Sequence, residues 1–202
     1  MRNDKADVPV SAETIVDHRF WSYVVAGLAG LFSVVTSLTV AHGALGVAGA
    51  GLALVMLTIA IIDARYLLIP DALNVAGLVL GLVNAMVVAQ GDLSALLIAL
   101  LRAIIVAGAF LAVRLAYARL RGRHGLGLGD VKLAAVAGAW LDWSILPIAI
   151  EIAALSALAT YALRYLLLRQ RLRLTSRMPF GLFFAPAIWV GWLLQMTLPG
   201  AW

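Results

Sequence analysis

Apolar residues in this chain arrive in successive runs of about 20, the number a helix needs to cross a bilayer's hydrocarbon core. In lipid each backbone amide must find its partner within the protein, so a spanning segment is either a helix or part of a closed barrel. Short strands of alternating polarity, which a barrel would require, are absent. The pattern therefore predicts an all-α, polytopic membrane bundle. Composition agrees: 64% of the 202 residues are hydrophobic and 12% are charged, too few polar side chains to cover a water-soluble fold of this size.

Long runs at about 20–41, 45–62, 70–90, 93–117, 145–168 and 180–198 predict six full spans. Pro70 falls at the first turn of the third, where its missing N–H costs nothing. A seventh apolar stretch, 130–140, holds only about 10–13 residues, too few to cross upright. It must meet a thinned bilayer or be shielded by its neighbours. Residues 1–18 read as a polar cytoplasmic tail rather than a cleavable signal peptide, and 19–202 as one membrane domain without internal repeats.

The net charge of +5 is topological and does not point to nucleic acid. With the 63–71 loop placed inside, alternate crossings put Arg19, Arg119, Arg121, Arg123 and Arg169 to Arg177 on the same side. The opposite side holds His42, Asp92 and Asp142 and no lysine or arginine, so every loop obeys the positive-inside rule. The N-terminus is then cytoplasmic, after which the chain makes seven crossings. No cysteine is present and the three histidines are scattered, which excludes thiol chemistry and argues against a metal site. Neither a metal nor an organic cofactor is expected.

Two charges interrupt the apolar runs. Arg102 and Glu151 lie at similar depths on the fourth and fifth long stretches, and an isolated intramembrane charge is costly, so they are expected to pair. Trp21, Trp140, Trp143 and Trp202 fall where an interfacial aromatic belt would lie. Gly77 and Gly81 have the small-xxx-small spacing of helix packing.

The same topology gives two carboxylates a common depth. Asp63 closes the second helix at its cytoplasmic end, and Asp130 opens the fifth helix on that side, after Gly125-Leu126-Gly127-Leu128-Gly129. Two carboxylates that share a proton can activate a water and polarise a peptide carbonyl, the chemistry of an aspartic protease. Glycines in such a loop let backbone approach an extended peptide, and Lys132 would balance charge or meet lipid phosphate. Taken singly, each acid has a plainer reading: Asp130 as a helix cap, Asp63 as an interfacial helix end, and Asp71 as a first-turn dipole partner.

The longer patterns favour the chemical reading. Asp63-Ala-Arg-Tyr-Leu-Leu-Ile-Pro-Asp71-Ala-Leu-Asn74 resembles the first aspartate segment of the type IV prepilin peptidases. Gly127-Leu-Gly129-Asp130-Val-Lys132-Leu133, continuing to Leu146-Pro147, is similar to their second, GxGD, segment. Pro179-Phe180-Gly181-Leu182-Phe183 is similar to their final-helix motif. The resemblance spans roughly 45–198. It implies that Asp63 and Asp130 are the catalytic pair and that Asp71 is a supporting acid reading a basic leader, and also the alternative catalytic aspartate within that first segment. Gly127, Gly129 and Lys132 would complete the site.

The implied substrates are prepilins or pseudopilins, cut at the cytoplasmic face of the bacterial inner membrane just before an apolar helix. The chain departs from the pattern in having no cysteine and no cytoplasmic insert with paired CxxC motifs, which argues against N-methyltransferase activity. Asn74 also stands where Thr is usual, and Leu182 where Pro is usual. The competing readings are a GxGD protease with other substrates and a non-catalytic assembly or transport subunit. A transporter would more naturally hold its acids near the bilayer midplane.

Overall fold

The computed structural model describes residues 12–122, 125–168 and 179–198. These form seven helices and no strand: α1 (Ala12–Val40), α2 (Ala44–Tyr66), α3 (Asp71–Val88), α4 (Leu93–Arg121), α5 (Leu128–Trp140), α6 (Leu146–Leu168) and α7 (Gly181–Thr197). The protein is a polytopic helical bundle. Five of the helices (α1 from Trp21, α2, α3, α4 and α6) are long and apolar enough to cross a membrane, while α7 has 17 residues and α5 only 13. Large apolar side chains such as Leu97, Leu101, Ile104, Leu155 and Leu158 are exposed on the outside of the bundle, as a lipid-facing surface requires.

Helix α1 begins at Ala12, well inside the stretch expected to be tail; residues 1–11 lie outside the described part. So do Arg123, the basic stretch Arg169 to Arg177, and Trp202. Asp92 caps α4, accepting from the Ser94 N–H at 2.9 Å and the Ser94 hydroxyl at 2.6 Å. With 29 residues, α4 is about 44 Å long, so its last turns with Arg119 and Arg121 reach past a hydrocarbon core of about 30 Å.

At the centre is the short helix. α5 packs on α3, α4 and α7, and Leu133, Ala134, Val136, Ala137, Gly138, Ala139 and Trp140 are all buried. Of the two solutions open to a helix this short, the bundle uses shielding by neighbours. A helix ending inside protein must still satisfy its last carbonyls and the N–H groups that follow. The Gly138 carbonyl accepts from Arg102 Nε at 3.2 Å, and the Asp142 N–H donates to Gln195 Oε1 of α7 at 2.9 Å.

Gly77 and Gly81 do mark helix packing, with a tryptophan as the knob. A Cβ on Gly81 would lie 2.7 Å from Trp140 Cδ1, and Trp140 Nε1 donates to the Gly77 carbonyl at 2.8 Å. Trp140 is 2% exposed and so belongs to the core, not to an interfacial belt; Trp21 and Trp143 are exposed. Sequence position placed Trp140 at a helix end correctly. A helix end in this bundle, however, can be enclosed.

The expected Arg102–Glu151 pair does not form. Arg102 makes an ion pair with Asp142, just beyond the end of α5, and Glu151 is exposed on α6. Depth was shared, but direction around the bundle was not: α4 packs on α5, whereas α6 packs on α7. The guanidinium is largely buried, so removing its partner leaves a charge with little water, at a cost of about 3–5 kcal/mol. Arg102→Glu should therefore lower the thermal stability of the detergent-solubilised protein. Adding Asp142→Arg should restore much of the loss, whereas adding Glu151→Arg should restore none of it.

Candidate active site

Asp63 lies in the last turn of α2 and Asp130 in the first turn of α5, and both are buried, at 5% and 8% exposure. α3 and α7 each pack on both α2 and α5 and so bring the two helix ends together. The carboxylates are close enough for the charge of Asp63 to be felt at Asp130.

Each acid is held by a backbone N–H at a helix start. Asp130 is the third residue of α5, and its Oδ2 accepts from the Gly127 N–H at 3.0 Å, which is half of a capping box. The other half is missing because glycine has no side chain to return the bond. Asp63 Oδ2 accepts from the Leu182 N–H at 2.9 Å, across 119 residues of sequence, and the Gly181 amide also bonds to this carboxylate. Both donors belong to the first turn of α7, where N–H groups have no partner within the helix and the dipole favours an anion.

The loop after α2 fits between these parts. Leu67 caps α2 in the left-handed region at φ 52°, which is costly for a side chain of this size, and its N–H bonds back to the Asp63 carbonyl. The chain reverses there and buries Ile69. A Cβ on Gly129 would come within 3.0 Å of Ile69 Cβ, and one on Gly181 within 2.8 Å of Ile69 Cδ1 and 2.9 Å of Asp63 Oδ2. A Cβ on Gly125 would likewise meet the Tyr117 ring at 2.8 Å. In this structure Gly125 and Gly129 therefore admit the protein's own side chains, rather than standing clear for a peptide alone.

The remaining sequence candidates divide cleanly. Lys132 pairs with Asp71, Nζ to Oδ1 at 2.6 Å, at the exposed ends of α5 and α3. The role of α7 as the clamp on Asp63 was not legible, although its Pro179-to-Phe183 motif had been singled out. Arg114 was missed altogether. It lies on α4, donates to the Leu126 carbonyl, and its charge reaches Asp130. Its one visible signal was a cation set well before the Arg119–Arg121 cluster that ends that helix.

Comparison with known proteins decides the kinship. The model of the type IV leader peptidase family matches residues 50–163, a region that contains both acids. The chain belongs to that family. It is 32% identical over 170 residues to the prepilin leader peptidase/N-methyltransferase of Aeromonas salmonicida, covering 82% of this chain and 55% of the relative. It is 38% identical over 131 residues to the leader peptidase HopD of Escherichia coli, covering 64% of this chain and 82% of the relative. A prepilin leader peptidase/N-methyltransferase of Pseudomonas aeruginosa is 36% identical over 145 residues, 70% of this chain and 48% of that one. The chain thus spans about half the length of the bifunctional relatives. No solved structure matches. In this member of the family, the α7 clamp lies beyond the matched region.

Gly181→Ala tests the closeness of that clamp. The added methyl would meet Asp63 and Ile69 below 3.0 Å. Overpacking of about 1–3 kcal/mol outweighs the roughly 0.5–1 kcal/mol gained in helix propensity. The variant should therefore unfold at lower temperature than wild type when heated in detergent.

Proposed function

We propose that the protein is a membrane aspartic endopeptidase that removes the leader of a type IV prepilin or pseudopilin at the cytoplasmic face. The observation that carries this reading is the pair itself: two buried carboxylates from separate helices, each with one oxygen held by a backbone N–H, on helix ends that α3 and α7 bring together. A carboxylate held through one oxygen can present the other to water. The names of the relatives supply the substrate class, and the positive-inside pattern supplies the face.

In this reading the two aspartates share one proton. The ionised one takes a proton from a water as its oxygen attacks the scissile carbonyl carbon, while the protonated one donates to the carbonyl oxygen. The tetrahedral diol then collapses and the C–N bond breaks: the proton just taken up passes to the departing amine, while one diol hydroxyl returns its proton to the other aspartate, restoring the shared-proton pair. The roles belong to the pair, because coupled acids titrate together. Arg114 and the N-terminus of α7 hold the local field around the two acids. Asp71, exposed and balanced by Lys132, is positioned to attract the basic residues of a leader.

Proteoliposomes with a leader-bearing substrate test this directly. Asp63→Asn and Asp130→Asn should each abolish cleavage while leaving the protein inserted and folded; near-normal turnover in either would refute the pair. The rate should be bell-shaped in pH, falling when both acids are protonated and again when both are ionised.

A further inference from the structure

On the flank of α5 away from Asp130, a groove runs between α3 and α5, lined by Asp71, Asn74, Val75, Leu78, Lys132 and Ala135. Its walls are apolar and open sideways, with Val75 exposed, and the Asp71–Lys132 ion pair stands at its polar end. Asn74 is the exception in that wall. It is 4% exposed, and neither Nδ2 nor Oδ1 has a hydrogen-bond partner among the described residues. It sits one turn along α3 from Asp71, about 4.5 Å deeper, and one turn before Gly77, where an added Cβ would meet Met56 of α2 and Val136 of α5.

A buried amide with both ends unmet is destabilising, and leucine, with the same branching and no polar atoms, would avoid that cost. What this position retains is one acceptor and a pair of donors, the complement of a peptide unit's N–H and C=O. A peptide drawn out of a membrane helix carries such unmet units: its extended stretch has no internal bonds, and the first four N–H groups of the helix that follows have none either. At membrane depth those groups need protein partners.

We propose that Asn74 binds a backbone amide of the substrate where its cleavable, extended stretch passes into its apolar segment, the apolar side chains lying along Val75, Leu78 and Ala135. This rests on the leader-peptidase reading above and adds a substrate-binding residue to it. A lipid tail fits the groove less well, because an ester carbonyl accepts from Nδ2 but has no donor for Oδ1.

The test uses the full chain in proteoliposomes with a synthetic leader peptide that includes its apolar segment. Asn74→Leu should leave thermal stability equal or higher yet lower kcat/KM roughly tenfold to a hundredfold, mainly through KM. A substrate truncated before the apolar segment should be cleaved equally by both proteins. Asn74→Ser, which keeps a hydroxyl, should fall between them and serves if the leucine variant does not fold. Because the chain has no cysteine, Val75→Cys in an Asp130→Asn background offers a single thiol. A maleimide placed in the substrate's apolar segment should label it, should not label Leu163→Cys on exposed α6, and should be competed by unmodified peptide. Unchanged kcat/KM in Asn74→Leu, or equal labelling at the two sites, would overturn the assignment and mean that water or lipid meets the amide. Cleavage by wild type but not by Asp63→Asn would in that case leave the peptidase reading standing. Failure of wild type to cleave would remove both.

Discussion

The structure depends on enclosing a helix that is too short for the membrane it sits in. α5 carries Asp130 at one end and stops after 13 residues, so its terminal backbone groups would be stranded in hydrocarbon if it faced lipid. The bundle closes around it instead. Each surrounding helix supplies something α5 lacks: α3 a carbonyl for the Trp140 indole, α4 a guanidinium for the Gly138 carbonyl, α7 a carboxamide for the Asp142 N–H. A glycine at 138 makes the α4 contact possible, since a Cβ there would lie 2.7 Å from the backbone of Ala103.

The acid pair follows from that enclosure. Once α7 is committed to α5 and α2, its N-terminus lies beside the end of α2, where its free N–H groups meet Asp63. α3 closes the other side, and the Leu67 turn between α2 and α3 folds Ile69 against Gly129 and Gly181. Two buried carboxyl groups in an apolar bundle are tolerable because each has a backbone donor, and Asp130 also lies within the field of Arg114. Both acids and their backbone donors sit at helix termini, the one place in a membrane helix where backbone groups are free to serve a side chain.

The errors in reading the sequence share one cause. Residue spacing gives depth along a helix axis, at about 1.5 Å per residue, but not the direction in which a side chain faces once helices pack. Arg102 and Glu151 have matching depths and lie on helices that do not pack together, so Arg102 found Asp142 instead. Trp140 sits at a helix end, as an interfacial tryptophan would, but that end is inside the protein. Asp71 and Lys132 could each be marked as charged and near the site, yet nothing in their 61-residue separation announced an ion pair.

By itself the sequence determined the all-helical membrane architecture, the shortness of α5, and the two acid-bearing segments. Each of these is a property of local composition, run length or contiguous motif, and the bilayer converts such properties directly into structure. Only the tertiary structure decided that α5 is buried rather than bathed in thinned lipid, that the start of α7 grips Asp63, that Arg114 attends Asp130, and that Asn74 faces a groove with its amide unmet. Those are relations between helices, set by which faces interlock, and close packing is a property of the whole bundle that no single segment encodes.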